Sequence, residues 1–506
     1  MNSTVNQMYT PLSYGGKIHI ENEVILPDYC TDILRVVKTE VTPKITSKNT
    51  YGDENGLNVA LDGTALFKVI YLSEGSDKLH STFFTETFSH NFKVQADKNS
   101  DFDNAFVHLR LIPESVSCRP SASRRMTIRG DLSVVPDIRL NRKIEYFSDR
   151  DSQCEILSEK VKLCSMCGEA EADYNISEKI DLPRELPTVA EILDCDIRYV
   201  CENLKVTDCK AIFTATALFT CFYSSEDGDI SFCQPIELSQ VVDIPDAADA
   251  DEGEIRFVPT SLRADIDVDN YGENRIIDLD FSYTAHVFTF CNREFDAAVD
   301  IFSPQNELSA EYGDFSVRTF RRFVNEKLAL NGSLKLKNPE TATLEDIRPT
   351  AYIRGWVIEN GTLNVDGRMN LKMIGAYPGG YDGIEENMDF SAKIPLEDIP
   401  AQQCDLNVSV REVDCVVSGN SIEVRADVIL DGAVFAQNSV HCVKELIVGE
   451  KKKISPRAPI ILYYPSPDET VWDIAKKYSL PQKSILDFNG MDSPKITDTV
   501  LKIPTA

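Results

Sequence analysis

Along most of this chain apolar and polar residues alternate with the period of two that marks a strand with one buried face. Leu61, Ala65, Phe67, Val69 and Tyr71 fall on one face of such a segment, and Asp62, Thr64 and Lys68 on the other. The same register returns in Phe213, Ala215, Ala217, Phe219, Cys221 and Tyr223, and again in Val365, Met369, Leu371 and Met373. A slip of one residue would turn either face inside out, so the pattern predicts three strands of one kind.

The recurrence extends beyond these strands. Ile20–Leu26 reappears as Ile176–Leu182 (20 to 176, 156 residues) and as Val324–Leu330 (176 to 324, 148 residues). Ala65-Leu66-Phe67 with Tyr71 returns as Ala217-Leu218-Phe219 with Tyr223 (65 to 217, 152 residues), and Asp62-Gly63 as Asp366-Gly367 (62 to 366, 304 residues, twice 152). A further strand signal recurs as Ile128-Arg129-Gly130-Asp131-Leu132, Ile277-Asp278-Leu279-Asp280-Phe281 and Val424-Arg425-Ala426-Asp427-Val428. Such strands, divided by Gly, Asn, Asp and Pro clusters, predict antiparallel β-domains of about 120 to 150 residues.

Past residue 460 the period changes. Ile460–Tyr464 is a short apolar strand, and Asp468-Glu469-Thr470 offers capping side chains. Val471, Ile474, Ala475 and Tyr478 then share one helical face. Pro481 suits the start of a second helix that buries Ile485 and Leu486 and stops near Asn489-Gly490, and Val500–Ile503 closes as a strand. The fold expected is therefore mainly β: three repeated antiparallel β-domains plus a small C-terminal βααβ domain. The division expected is a tail at 1–19, repeats with linking strands at 20–174 and 175–323, a third repeat at 324–447, a linker at 448–459 and the βααβ module at 460–506.

Charge narrows the partners. The net charge of −29 over 506 residues has the wrong sign for binding nucleic acid or an anionic membrane. No apolar run approaches the ~18 residues of a membrane span, and Met1–Gly16 has neither the basic nor the apolar part of a secretory signal, so membrane insertion is excluded and cytoplasmic residence is expected. Of the 14 cysteines most stand singly in strand-like segments (Cys209, Cys221, Cys291, Cys415, Cys442), as small buried hydrophobes in a reducing compartment.

No catalytic constellation emerges. The six histidines are scattered, and Cys164-Ser165-Met166-Cys167 is one Cys-x-x-Cys with no second pair, half of a zinc site. Asp265-x-Asp267-x-Asp269 imitates a calcium loop but has Asn270 at position six and Ile276 at position twelve, so a strand with a solvated acidic face is expected, and the acidic run from Asp246 to Glu254 reads as a solvated loop. Neither metal, cofactor nor enzymatic activity is expected. Trp356 is expected in a core, and Trp472 as an anchor of the first helix.

The C-terminal residues resemble a lysin motif (LysM) domain, through Thr470–Tyr478, Asn489 and Leu501-Lys502-Ile503-Pro504. The repeats look like SPOCS domains of spore-coat proteins, through the Leu-Pro entries at Leu26-Pro27 and Leu182-Pro183 and the strand block ending at Tyr71. Together they are similar to the SipL-like family of spore coat morphogenetic proteins. That resemblance implies a non-enzymatic adaptor in the mother-cell cytoplasm. Its partners would be the coat ATPase, stage IV sporulation protein A, and other coat proteins, with self-association through the repeats, and it would tether the coat to the forespore surface. The alternative is a LysM protein that binds the N-acetylglucosamine chains of peptidoglycan, or a wall-hydrolase accessory. The family's Gly-Asp-Thr turn is Asp468-Glu469-Thr470 here, and its Gly-Gln is Asp498-Thr499. Loss of these glycines argues against a sugar groove and for a protein ligand. The partner-binding positions expected are Asp468, Glu469, Thr470, Asn489, Ile496 and Asp498.

Overall fold

Three β-units, one of seven strands and two of six, and a small helical module follow one another in the computed structural model, which describes residues 2–74, 78–147, 154–248, 251–396, 402–452, 459–496 and 500–504. The first unit comprises β1 (Asn2–Tyr9), β2 (Lys17–Ile25), β3 (Ile33–Asp53), β4 (Gly56–Ser73), β5 (Leu79–Val94), β6 (Ser100–Ala122) and β7 (Arg125–Phe147). The second comprises β8 (Glu155–Asp181), β9 (Glu191–Thr207), β10 (Lys210–Ser224), β11 (Asp229–Asp243), β12 (Glu252–Val268) and β13 (Asn274–Phe302). The third comprises β14 (Asn306–Lys335), β15 (Thr343–Glu359), β16 (Thr362–Tyr377), β17 (Gly380–Pro395), β18 (Gln403–Ser418) and β19 (Ser421–Lys451). The module holds β20 (Ile460–Tyr463), α1 (Val471–Tyr478), α2 (Gln482–Asn489) and β21 (Leu501–Pro504).

Each unit packs two antiparallel sheets face to face, in one topology. The meanders β3-β4-β5, β9-β10-β11 and β15-β16-β17 cover sheets in which the last strand of the unit, β7, β13 or β19, lies between its first and fifth. In the first unit β1 and β2 are two halves of that first strand, laid end to end along β7. Phe67, Phe219 and Leu371 occupy matching places on β4, β10 and β16, opposite Val41, Ile197 and Pro349, and all three are buried. The repeated Asp-Gly has a packing cause. A Cβ on Gly63 would lie 2.3 Å from the Phe88 ring, and one on Gly367 2.2 Å from the Phe390 ring, so glycine makes room for an aromatic on the neighbouring strand. At Asn360-Gly361 both residues have positive φ, the two-residue hairpin turn that matches strand twist.

Several sequence expectations are corrected. Residues 1–19 are no tail: β1 pairs with β7 along its whole length. The segments expected to link the repeats are the outer halves of β8 and β14, which hydrogen-bond to β13 and β19 inside the following unit. Residues 448–451 of the expected linker complete β19, and 453–458 lie outside the described residues. The third copy of the entry strand is displaced by six residues. The backbone N–H of Leu26, Leu182 and Leu336 bonds to the carbonyl of Arg124, Arg275 and Asn420, each at the start of the unit's last strand, which makes Leu330 the counterpart of Ile20 and Ile176. Alternation in β14 is so long that Val324-x-x-x-Leu328-x-Leu330 and Leu330-x-x-x-Leu334-x-Leu336 fit the motif equally. By the same bonds Leu279, and not Ile277, matches Ile128 and Val424. Trp356 is 37% exposed on β15 and belongs to no core, and Cys209 sits exposed in a turn with positive φ.

The units close into a ring. β5 packs on β9, β11 on β15, and β17 on β3, so the fourth strand of each unit meets the second of the next. Ile70, Phe222 and Ile374, equivalent positions spaced by 152 residues, meet on this pseudo-threefold axis with Leu72, Leu79 and Leu193. Beside them lies a buried ion network drawn from all three units. Lys38 on β3 is 2.7 Å from Asp346 and 3.0 Å from Glu40, and Lys68 on β4 is 2.6 Å from Asp194 on β9. Arg348 on β15 reaches Asp346 at 3.0 Å and Asp194 at 3.7 Å. Lys38, Asp194 and Asp346 are counterparts of one another, as are Glu40, Asp196 and Arg348 (38 to 194 and 40 to 196, 156; 194 to 346 and 196 to 348, 152). Three cations thus meet three carboxylates where desolvation would make any unmatched charge costly.

A second network repeats this under the other sheets. Arg139 pairs with Asp137 and Asp405, Arg256 with Asp137 and Glu254, and Arg318 with Asp405, beside the buried Phe106, Phe288 and Phe435. Beyond it the outer ends of β1, β7, β8, β13, β14 and β19 form a stalk filled by Ile144, Leu163, Ala297, Val317 and Cys442.

Burial works against the charge of Asp346, but Arg348 and Lys38 outweigh it and hold the carboxyl below the usual aspartate range. Its contribution to stability is therefore present above that range and is lost as pH falls through the lowered value. Asp346→Asn should destabilise the protein by about 3–5 kcal/mol at neutral pH by leaving the network's three cations to two carboxylates, whereas breaking the exposed Arg129–Glu21 pair should leave the transition nearly unchanged, both read by urea unfolding.

Candidate functional site

The C-terminal module stands at the end of the stalk. Its core is Val471, Ile474, Ala475, Ile485, Leu501 and Ile503, all fully buried. α1 begins in a capping box: Thr470 Oγ1 accepts from Asp473 N, and Asp473 Oδ2 accepts from Thr470 N at 2.9 Å. These bonds hold the Asp473 carboxyl below its usual range. Lys476 and Lys477 lie in the last turn, favourable to the helix dipole, and Ser479 closes the helix in the left-handed conformation. α2 starts after Pro481, which takes the cap position, and ends at Gly490 with φ 65.

One face of α1 is seated on β13. The Trp472 indole packs edge-on against Phe302, ring centroids 4.9 Å apart, and its Nε1 donates to Asp300 at 2.8 Å. Lys476 Nζ lies 2.7 Å from both Asp300 oxygens, and the Tyr312 hydroxyl donates to the same carboxylate at 3.0 Å. Burial opposes the charge on Asp300, but these donors hold its carboxyl below the usual range. Lys452 bridges Ser303 O and Ser479 Oγ. Trp472 is thus an anchor, as expected, but of the module to the stalk as well as of the helix. Asp300, Phe302 and Lys452 were not foreseen, because nothing local ties the end of one strand to a helix some 170 residues onward.

The expected partner-binding positions fall into two groups. Asp468, Glu469 and Thr470 share the turn between β20 and α1, with Asp468 exposed. Glu469 accepts from the Tyr463 hydroxyl at 2.6 Å and from Ser466 N at 3.0 Å, and so braces the turn. Asn489 and Ile496 serve the path from α2 to β21. Asn489 accepts from Lys502 N and donates to Lys502 O and Ile485 O, each at 2.8 Å, while Ile496 packs against the module's own core. Asp498 lies outside the described residues. Ile460 and Leu462 on β20, with Tyr464 just past its end, form an exposed apolar row that leads into the acidic turn.

Elsewhere the acidic motif is accounted for by local partners: Asp265 pairs with Arg263, Asp267 with Lys179, and Asp269 accepts the N–H groups of Tyr271 and Glu273. In the acidic run, residues 249–250 lie outside the described residues. Among the described residues one set of metal-type donors converges, Cys167, Asp251 and Cys291. No described helix is long and apolar enough to cross a membrane.

The family model for the SipL SPOCS domain matches residues 32–119, from the start of β3 into β6, and the LysM domain model matches residues 466–504. The chain therefore carries a sporulation-related SPOCS domain and a LysM domain, both non-catalytic binding domains. More particularly, it is SipL-like, with a SipL SPOCS domain near its start and a LysM domain at its C-terminal end. No curated protein and no solved structure matches it significantly.

With Trp356→Phe as background, so that Trp472 is the sole tryptophan, Asp300→Ala should shift its fluorescence to the red by wetting the indole while the module stays folded. Ile474→Ala should instead unfold the module, at a cost of about 2–5 kcal/mol for a buried isoleucine.

Proposed function

We propose that this chain is a non-enzymatic adaptor of spore coat assembly. Its LysM module binds the coat morphogenetic ATPase, stage IV sporulation protein A, and its body tethers the coat to the forespore surface from the mother-cell cytoplasm. The observation that carries this reading is the way the module is mounted. Trp472 and Lys476 hold it on the stalk by α1, while Asp468 and Thr470 in the turn before α1 and the row Ile460, Leu462 and Tyr464 stay exposed. An apolar strip flanked by carboxylates suits a protein surface with a basic rim. Asp498 is placed by sequence in the same binding surface, with Asn489 and Ile496 shaping the loop that leads to it. The second and third units share the strand order of the matched segment, which supports reading β9–β12 and β15–β18 as further SPOCS-type modules, available for other coat proteins or for self-association.

The glycan reading rests on the LysM match itself. Against it, the turn that would approach a sugar carries Asp468 and Glu469 where backbone approach favours glycine.

Asp468→Lys combined with Asp498→Lys should weaken capture of the purified ATPase by the full chain by about tenfold, or about 1.4 kcal/mol, and wild-type capture should weaken as salt rises. Sedimentation with purified peptidoglycan should be absent. Undiminished ATPase capture together with co-sedimentation of the wild type would replace this proposal with the glycan one.

A further inference from the structure

Cys167 and Cys291 lie on neighbouring strands at the root of the stalk. β8 and β13 pair Gly168 with Thr289 and Met166 with Phe290, so Cys167 is the extra residue of a bulge. Its Sγ is 3.0 Å from that of Cys291, and both residues are half-buried, within reach of small solutes. The Arg293 guanidinium stands 4.0 Å from the Cys167 sulfur, and an Asp251 oxygen lies within 4.8 Å of both sulfurs.

The two thiols are unequal. The hydrogen bond from Cys167, helped by Arg293, draws the Cys291 thiol down to about 7, whereas that bond and burial push the Cys167 thiol well up. One sulfur is thus poised as the nucleophile and the other holds the proton between them. Cys195 and Cys221 offer an internal comparison. They too face each other across a ladder, β9–β10, but Cys221 is sealed in the core and burial and the Cys195 contact push its thiol up.

We propose that Cys167 and Cys291 form a reversible disulfide in response to hydrogen peroxide, a redox modification site that bolts β8 to β13. The Cys291 thiolate attacks one peroxide oxygen, the O–O bond breaks, and hydroxide leaves and is protonated to water, giving a sulfenic acid. The Cys167 sulfur then attacks the Cys291 sulfur and its proton leaves with the hydroxyl as a second water. The two thiols lose two electrons and the peroxide gains them. A dithiol reductant reverses the step by exchange. Three donors fall short of the four ligands of a closed zinc site, which favours the disulfide over a metal.

The position gives the bond a consequence. Asn141 of the first unit donates to Met166 O at 2.8 Å and accepts from Met166 N, next to Cys167, and Asn292, next to Cys291, makes the same pair of bonds to Phe320 of the third unit. The disulfide would therefore brace both clamps by which the second unit holds its neighbours.

The test uses the full chain, reduced and then treated with stoichiometric hydrogen peroxide, with a non-reducing digest mapped by mass spectrometry. The expected product is a Cys167–Cys291 linked peptide that dithiothreitol releases. Oxidised wild type should melt higher than reduced wild type. Cys291→Ser should abolish the link, and Cys167→Ser should leave a sulfenic acid at Cys291 that dimedone traps. The wild-type map needs no variant to fold. Absence of the linked peptide, or links confined to other cysteines, would overturn the proposal. So would an unoxidised pair that instead binds cadmium with a thiolate charge-transfer band.

Discussion

Everything in this architecture depends on matching charge at the pseudo-threefold axis. A single unit presents only part of each network: Lys38 and Lys68 from the first, Asp194 from the second, Asp346 and Arg348 from the third. Alone, the first unit would leave Lys68, and the second Asp194, without its partner, while Lys38–Glu40 and Arg348–Asp346 would pair only within their own units. Closed into a ring, they balance, and because exact repetition would place like charges together, the repeats must differ at the axis. The counterpart positions Lys38, Asp194 and Asp346 show this directly, with one cation and two carboxylates at the same point of the fold. Apolar Ile70, Phe222 and Ile374 supply burial at the same junction, and the charges fix which unit stands beside which.

Symmetry is also broken where the first unit meets the third. Asn141 and Asn292 clamp the backbone beside a bulge in the next unit, at Met166 and Phe320. The matching point of the first unit is Thr10, where β1 stops and a loop runs to β2, and Arg318 reaches its hydroxyl at 3.2 Å instead. The ring is thus sealed twice by amides and once by a guanidinium. At the far end the stalk carries the LysM module on Asp300 and Phe302, so the rigid body and the binding module are mechanically continuous.

Much of this was legible in the chain. Period-two alternation gave the inward rows of β4, β10 and β16 residue by residue, since side chains on a strand can face only two ways. The βααβ order at the C-terminus followed from one helical stripe and its caps. Register in β14 was not legible, because a thirty-residue alternating strand fits its motif at two offsets. Nor was the ring: Lys68 reads as a solvated position, and only contact with Asp194, more than a hundred residues away, makes it a half-buried one. The thiol pair escaped for a related reason, since the bulge that turns Cys167 toward Cys291 leaves no trace in spacing. In the expected binding surface Asp468 is exposed, while Asn489 and Ile496 are occupied in holding the module together.

The central claim is that the axis makes three repeats one cooperative body and not three beads on a string. Hydrogen exchange followed by mass spectrometry, comparing wild type with Asp194→Asn, tests it most directly. The account predicts faster exchange in β4, β10 and β16 together, although the substitution lies in the second unit alone, with the LysM helices unchanged. Faster exchange confined to β8–β13 would contradict it.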